Sequence, residues 1–187
     1  MVVGIAVALI SVGIGLILGL VAGYVRVLDA VIMRTMDGLM SIPAILLAIA
    51  LISLSGATLG TVILAIVIPE VPRVVRLVRA VVLTVREEPY VEAAIAAGTR
   101  LPLILKRHIL PNTIAPLIVQ ATYVCASAML TESILGFLGA GIPPEIPSWG
   151  NIMSEGRTYF QISPWIIFFP GIGLALTVLA VNIVGDG

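Results

Sequence analysis

Long apolar runs alternate with short charged segments along this chain. The first run, residues 2–24, has 23 positions without a charged side chain, and a helix of that length spans about 30 Å of hydrocarbon. Apolar runs over 38–54, 58–68, 113–137 and 164–184 predict four further crossings. The pattern therefore predicts an all-α polytopic membrane protein with five transmembrane helices.

Composition agrees with a membrane protein. Of the 187 residues, 60% are hydrophobic and 11% are charged, whereas a soluble domain carries about a quarter charged residues. Ten basic and ten acidic residues cancel, so the net charge points to no class of partner. The single cysteine, Cys125, excludes an internal disulfide and a multi-cysteine metal cluster, and its apolar surroundings suggest a packing role.

The first apolar run contains Gly15, Gly19 and Gly23 at four-residue spacing. This spacing puts the three glycines on one face and predicts the close approach of another helix. The alternative is that glycines are simply common in membrane helices. The run lacks a basic start and a cleavage signal, so it reads as a transmembrane helix and not as a signal peptide.

The third apolar run is followed by two prolines and three arginines. Pro69 and Pro72 are expected to interrupt the helix. Arg73, Arg76 and Arg79 then form one helical stripe, which we expect to hold a helix end at the lipid headgroups. A voltage sensor also has arginines at every third position, but here the stripe is short and lies outside an apolar span.

A charged segment, residues 87–112, separates the third and fourth spans. Pro89 suits a first helical position and Gly98 a C-terminal stop, which predicts a helix from Pro89 to Ala97. Such a helix is a rigid rod of about 14 Å that can transmit a displacement. An amphipathic helix on the membrane surface is the alternative, but the polar face lacks the expected Lys and Arg.

The rest of the charged segment is expected to form a second short helix. Thr99 is a candidate cap for its start, and Pro111 is expected to end it. Asn112 would then be available to cap the fourth span.

Within this segment, the order Glu92-Ala93-Ala94, Gly98 and Leu110-Pro111 resembles the EAA loop of ABC-importer permease subunits. One fixed position differs, because His108 stands where the family has Ile. Three short segments resemble the dipeptide/oligopeptide/nickel subfamily: the sequence from Arg107 to Asn112, the later Ser148-Trp149-Gly150-Asn151 and the closing Gly185-Asp186-Gly187. The resemblance covers essentially the whole chain.

The resemblance implies a type I permease core with a coupling helix that docks on an ATPase. It implies two ABC ATPase subunits, a second homologous permease subunit and an extracytoplasmic solute-binding protein as partners, beside the lipid bilayer, with no nucleic acid. ATP and Mg would bind to the ATPase partners, with no cofactor or metal on this chain. The expected coupling residues are Glu88, Tyr90, Glu92, Ala93, Ala94, Ala97, Gly98, Leu110 and Pro111.

The predicted organisation is one permease domain over 1–187. Its charged loop, 87–111, contains the coupling helix, and 139–163 forms the longest loop on the other side. Similar chains carry another helix before the first span, so we expect a segment to be missing at the N-terminus.

Residues 139–163 are too polar and too rich in proline for a span, and a short surface helix is expected from Trp149 to Tyr159. By resemblance this loop meets the solute-binding protein, with Pro144, Trp149 and Arg157 as candidate docking residues. An aromatic belt at the membrane interface is a compatible interpretation.

Two acidic residues lie near apolar segments. Glu132 falls near the far end of the fourth span, where an ionisable side chain is costly and is a functional candidate by default. Glu132 is therefore a translocation-path candidate, and the alternative is that it reaches the interface or a neighbouring hydroxyl. Glu70 is expected to pair with Arg73 or Arg76.

The basic residues predict the orientation. All of them except Arg157 lie in segments that the predicted crossings put on the same side of the membrane. The positive-inside rule makes that side cytoplasmic. The N-terminus is then outside, and the C-terminus and the coupling loop are inside a bacterial or archaeal cytoplasmic membrane. The residues on the cytoplasmic side are Arg26, Arg34, Arg73, Arg76, Arg79, Arg86, Arg100, Lys106 and Arg107.

These observations favour a permease subunit of an ATP-driven importer for dipeptides, oligopeptides, glutathione or nickel chelates. The chain has no glycine-rich phosphate loop, so ATP hydrolysis is expected on separate subunits and the chain itself is not an enzyme. A self-contained secondary carrier or channel is the alternative. An intramembrane protease is disfavoured, because the single histidine, His108, lies in the charged loop.

Overall fold

A computed structural model of the chain describes residues 1–186, and within that part the regular structure is entirely helical. Gly187, the last residue of the closing Gly-Asp-Gly, lies outside the described residues. A π-helical segment, Leu105–Ile109, joins α6 to α7, and a short 3-10 turn, Arg157–Tyr159, follows α8. The helices are α1 (Val2–Tyr24), α2 (Arg26–Met40), α3 (Ala44–Ser55), α4 (Leu59–Val85), α5 (Pro89–Ala96), α6 (Leu101–Ile104), α7 (Leu110–Phe137), α8 (Trp149–Gly156) and α9 (Trp165–Asp186).

The most extensive helix packing in the bundle joins α1 to α4. Three of the glycines of α1, at four-residue spacing, face three valines of α4, and a Cβ atom built on Gly19 would lie 2.6 Å from the Cβ of Val78. Real Cβ atoms do not approach so closely, so only glycine allows this separation. The predicted close approach along the glycine face is therefore confirmed. The facing pairs are Gly15 with Val74, Gly19 with Val78, and Gly23 with Val82.

Helix α7 completes the core. It packs against α1, α4, α8 and α9. Near the start of α1, a Cβ on Gly4 would meet the Cys125 carbonyl oxygen at 2.9 Å, so α1 also lies directly on α7. The Cys125 side chain is buried there, as its predicted packing role requires.

The predicted interruption at Pro69 and Pro72 is wrong. Both prolines lie inside α4, which continues unbroken for 27 residues and carries the arginine stripe on its second half. Each proline removes one backbone hydrogen bond, but the remaining ladder and the packing against α1 hold the helix together. At the other end, Thr58 caps α4 reciprocally with Thr61, so the predicted helix start is confirmed.

The second predicted span, 38–54, is not one straight helix. Helix α2 ends at Met40, α3 begins at Ala44, and the two axes differ by 86°. The physical reason is Pro43, which lacks an amide donor and restricts the residue before it to extended backbone. With 12 residues, α3 alone is about 18 Å long and too short to cross a bilayer.

Three helical stretches in the described part of the chain are long and apolar enough to cross a membrane. They are Val2–Tyr24, Leu101–Phe137 and Trp165–Gly185, and the bent pair of α2 and α3 gives a fourth if it counts as one span. Helix α4 has the length of a span but carries four charged side chains in its middle and second half. The count of five crossings therefore stays a prediction.

Candidate functional site

Helix α5, the candidate coupling helix, has well-defined ends. Pro89 occupies its first position, and Gly98 follows the C-cap with a φ of +76°, which favours glycine. The Gly98 amide donates to the Ile95 carbonyl at 2.9 Å, and the Thr99 amide donates to the Ala94 carbonyl at 3.0 Å, which together form a Schellman motif. Thr99 thus closes α5, and its predicted role as cap of the next helix is wrong.

The surface of α5 is almost entirely exposed. Its single buried residue is Val91, which is fully covered by the rest of the chain. Tyr90 and Ile95 are about half exposed, so apolar groups project from the helix beside the small alanines. Because Val91 is buried, it anchors the helix to the rest of the chain. The other exposed candidates are Glu88, Glu92, Ala93, Ala97 and Gly98, and Ala94 is half-buried.

The Leu110-Pro111 pair lies close to α5 in space. The side-chain amide of Asn112 donates to the Tyr90 hydroxyl at 3.3 Å and to the His108 carbonyl at 2.6 Å. The Tyr90 and His108 rings are 5.9 Å apart. The two halves of the predicted coupling loop are therefore joined through Tyr90. Sequence reasoning missed this contact, because the partners are 22 residues apart.

Pro111 does not end a helix, contrary to the prediction. It lies in the first turn of α7, which follows the π-helical segment directly. The Leu110 amide donates to the Leu105 carbonyl, five residues back, so the ladder changes register just before a residue that has no amide to donate. Helix α6, the π segment and α7 form one continuous rod from the coupling loop into the bundle.

The N-terminal end of α5 is attached to α4. The Glu87 amide donates to the Thr84 carbonyl at 3.2 Å, and the Glu88 amide donates to the Val85 carbonyl at 3.1 Å. Arg86 also donates to the Gly23 carbonyl at the end of α1 at 3.3 Å. The turn that joins α4 to α5 is therefore also bonded to the end of α1.

The arginine stripe of α4 pairs with acidic residues, two of them on α2. Arg79 binds Asp29 through two nitrogens, at 2.5 Å and 2.6 Å, and Arg76 binds Asp37 at 2.5 Å. No pattern in the sequence indicated these pairs, because their partners are 50 and 39 residues apart. The stripe thus fastens α2 to α4.

Glu70 pairs with Arg73, one of the two predicted partners. The distances from the guanidinium nitrogen to the two carboxylate oxygens are 3.0 Å and 3.2 Å. The Ser127 hydroxyl on α7 also donates to Glu70 at 3.0 Å. This buried carboxylate therefore links α4 to α7 inside the bundle.

The segment over 139–163 folds back onto the end of the bundle. Its helix and 3-10 turn cover Trp149 to Tyr159, as predicted. The three docking candidates, Pro144, Trp149 and Arg157, are exposed. The guanidinium carbon of Arg157 lies 5.5 Å from the centre of the Phe137 ring.

Glu132 lies inside the protein. Only 7% of its surface is exposed, and its Oε1 atom has no hydrogen-bond partner. The expectation that it reaches the interface does not hold. It lines a pocket of about 440 Å³ at the end of the bundle covered by the 139–163 segment.

The architecture is that of a bundle with an exposed helix at one end and a folded loop at the other, and it has known counterparts. A family model described as "Binding-protein-dependent transport system inner membrane component" matches residues 11–187. The chain belongs to this family. Membership agrees with the apolar helices and makes the chain an inner-membrane protein.

Relatives within this inner-membrane component family are named as peptide permeases. A Sinorhizobium fredii protein named as a peptide ABC transporter permease is 58% identical over 166 residues, which cover 89% of this chain and 57% of the relative. The dipeptide transport system permease protein DppC of Alkalihalophilus pseudofirmus is 42% identical over 174 residues, covering 92% and 57%. This chain therefore spans a little under three fifths of the length of these curated relatives.

A solved structure shares the fold. A chain of the MetNI methionine ABC transporter, from a structure of its inward-facing conformations, superposes with a TM-score of 0.73 and 20% sequence identity. The match covers 98% of this chain and 90% of that chain. The helix order described above is therefore a fold found in an ABC importer.

Proposed function

We propose that this chain is the transmembrane permease subunit of an ATP-driven ABC importer for peptides or related solutes. Membership of the inner-membrane component family and the peptide-permease names of its relatives support this proposal. The relatives' names favour peptides, including dipeptides. No residue of this chain distinguishes them from glutathione or a nickel chelate.

One observation carries the mechanism. Helix α5 is exposed on nearly all its surface, yet Val91 anchors it, and its first turn is joined to α4 along the chain and to α7 through Tyr90 and Asn112. An exposed but firmly attached helix receives force from a partner without absorbing it. We propose that α5 docks in a groove of an ABC ATPase, and that closure of the ATPase pair moves α4 and α7. ATP and Mg then belong to the ATPase subunits.

The proposed topology has five crossings, formed by α1, the bent α2–α3 pair, α4, α7 and α9. The distribution of the basic residues supports a cytoplasmic coupling loop, 87–111, with the first residues of the chain outside. A second homologous permease forms the other wall of the passage. The 139–163 segment, with Pro144, Trp149 and Arg157 exposed, then faces an extracytoplasmic solute-binding protein.

Cysteine cross-linking tests the proposal directly. The single native cysteine, Cys125, is buried, so an Ala93→Cys substitution adds one accessible thiol on α5. We expect this thiol to cross-link to an ATPase subunit, with a yield that changes between ATP-bound and nucleotide-free states. Glu145→Cys, on the exposed segment at the other end, is the matched control and is expected to react with an impermeant maleimide from outside the cell.

The competing carrier or channel predicts a different outcome. Transport in vesicles containing this chain and its membrane partners, but no ATPase, together with no cross-link from Ala93→Cys, would overturn the proposal. Labelling of Glu145→Cys only from the cytoplasm would reverse the topology.

A further inference from the structure

The pocket beside Glu132 is a built feature of the fold. It has a volume of about 440 Å³, within the range of small-molecule sites. Five elements meet around it: the start of α1, the start of α4, the end of α7, the segment with α8, and α9. Its wall is mostly apolar and includes Ile146, Trp149 and Leu174. The polar side chains in the wall are Glu132, Ser133 and Ser148.

The loop side of the pocket is held in place by Asn151. Its side-chain amide lies within hydrogen-bond distance of the carbonyls of Ile142, Pro143 and Ile146, at 3.3, 3.3 and 3.1 Å. Its backbone amide donates to the Ser148 hydroxyl at 3.1 Å, which starts α8. The Ser-Trp-Gly-Asn motif of the sequence thus shapes this wall.

Close backbone packing fixes α8 against α7. A Cβ on Gly150 would lie 2.6 Å from the Ser133 carbonyl oxygen and 3.0 Å from the Gly136 Cα. The pocket wall is therefore preformed, which lowers the cost of ordering it around a ligand.

Two buried polar atoms in the pocket lack hydrogen-bond partners. They are the Oε1 atom of Glu132 and the hydroxyl oxygen of Ser133, in residues that are 7% and 2% exposed. A buried carboxylate oxygen without a donor is costly unless the group takes up a proton, or a cation or a hydrogen-bond donor joins it. The nearby basic side chain, Arg157, lies over Phe137 instead.

The chemistry of the wall narrows the class of ligand. A hard divalent cation needs about six to eight oxygen ligands, and one carboxylate with two serines among apolar side chains does not supply them. An ammonium group needs one carboxylate and a few hydroxyl acceptors, and leaves the apolar wall for the group that carries it.

We propose that this pocket binds a primary ammonium group attached to an apolar group, with Glu132 as its counter-ion and the Ser133 hydroxyl as a further acceptor. The soluble source is the N-terminal residue of a short peptide, and in this form the inference rests on the proposed function. The same chemistry occurs in the headgroup of phosphatidylethanolamine, so the experiment separates the two sources.

The test uses the purified transporter in phosphatidylcholine nanodiscs, without the solute-binding protein. Calorimetry measures binding of the dipeptide Leu-Ala and of its N-acetyl derivative, which lacks the ammonium. We expect Leu-Ala to bind and the acetylated peptide not to bind. Glu132→Gln, which keeps the side-chain shape, should weaken Leu-Ala binding about ten- to hundredfold, the range of a charge-assisted hydrogen bond. Glu145 is an exposed carboxylate on the 139–163 segment, and Glu145→Gln should leave Leu-Ala binding unchanged.

The lipid arm uses nanodiscs that contain phosphatidylethanolamine, with mass-spectrometric counting of the lipid that stays with the protein. If Leu-Ala does not bind but the wild type retains this lipid and Glu132→Gln does not, the ammonium site stands and its source is the lipid. Equal binding of both peptides, unchanged binding in Glu132→Gln, or no binding of either ammonium source would overturn the inference.

The proposed function is tested separately in the same preparations. Co-purification of the ATPase subunits with the wild type and with Glu132→Gln shows that the complex has assembled, and ATP hydrolysis is measured on the wild-type complex. Absence of ATPase subunits from the wild-type preparation would count against the proposed function, whatever the pocket binds. Failure of the pocket in an intact, hydrolysing complex would count against the inference alone.

Discussion

Glycine has opposite uses at the α1–α4 interface and at the end of α5. At Gly19 the neighbouring helix is so near that a Cβ would meet Val78 at 2.6 Å and the Val75 carbonyl at 3.0 Å. At Gly98 nothing lies within 4 Å of a Cβ, but the φ of +76° disfavours any other residue. Gly19 allows two helices to pack closely, and Gly98 allows the backbone to turn. The contrast separates the closely packed part of the molecule from the part that we propose meets a partner.

The two regions work together because they are joined. The turn after α4 leads directly to α5, and Arg86 donates to the Gly23 carbonyl at the end of the packed α1 face. Asn112 connects α5 to the rod that continues into α7. A push on α5 is therefore delivered to helices that cannot slide apart easily, which is what a transmission element requires.

The largest effect is expected from filling the packed interface. Gly19→Ala inserts a methyl group against Val78 and the Val75 carbonyl, and such overpacking costs about 1–3 kcal/mol of the free energy of unfolding. Gly13→Ala in the same helix is the matched control, because nothing lies within 4 Å of its Cβ. Unfolding by a denaturing detergent measures both. Equal stability of the two variants would remove the argument for close packing.

A substitution at Gly98 should leave packing intact and damage coupling. Gly98→Val forces a β-branched residue into the left-handed region, at a cost of about 1–2 kcal/mol, while Gly98→Asn is tolerated there. We expect both variants to insert normally, and only Gly98→Val to lose transport-coupled ATP hydrolysis. Normal coupling in Gly98→Val would mean that the turn at the end of α5 has no mechanical role.

The ion pairs between α2 and α4 should have a smaller effect. Arg79 and Asp29 form a two-nitrogen contact with side chains 29% and 23% exposed, whereas Arg76 and Asp37 are 44% and 59% exposed. A double-mutant cycle to alanine should give a coupling energy of about 0.5–1 kcal/mol for the first pair and close to zero for the second. A larger coupling for the exposed pair would contradict this order.

Local features of the fold were predictable from the sequence. The capped start at Thr58, the first helix of the loop with its glycine stop, and the glycine face of α1 each depend on a few neighbouring residues. Apolar length alone located α1, α7 and α9. The choice of α5 as coupling helix also came from the sequence, and that role is still a proposal.

Proline was the main source of error, because its effect depends on tertiary support. Pro69 and Pro72 lie in a helix held by α1, and Pro111 follows a π-helical register change, so none of them ends a helix. Pro43, without such support, separates two helices by 86°. A single sequence does not reveal which prolines are supported.

Contacts between distant residues were the other gap. The Arg79–Asp29 pair spans 50 residues and the Glu70–Ser127 hydrogen bond spans 57. Their residues were visible as charges or hydroxyls, but nothing in the pattern assigned the partners. For Glu132, the sequence marked the residue as a candidate, and the fold supplied its burial and its pocket.

The smallest effect is expected at Glu92, which tests what holds α5 to its partner. Glu92 is exposed and lies in the first turn of α5. Its negative charge interacts favourably with the helix dipole there and stabilises the helix by about 0.3–1 kcal/mol. Glu92→Ala should therefore shorten the lifetime of the complex with the ATPase by less than about tenfold, measured by subunit exchange. Glu87→Ala, an exposed carboxylate before the helix, is the control.

The ionic strength of the buffer separates the two contributions of Glu92. A helix-dipole effect or an exposed ion pair weakens with salt, whereas apolar docking through Tyr90 and Ile95 does not. We expect Glu92→Ala and the wild type to converge at high salt, with the complex still formed. A decrease in the lifetime of the complex well above tenfold that persists at high salt would mean that Glu92 forms a buried ion pair with the ATPase. Charge, and not shape, would then determine how the ATPase recognises α5.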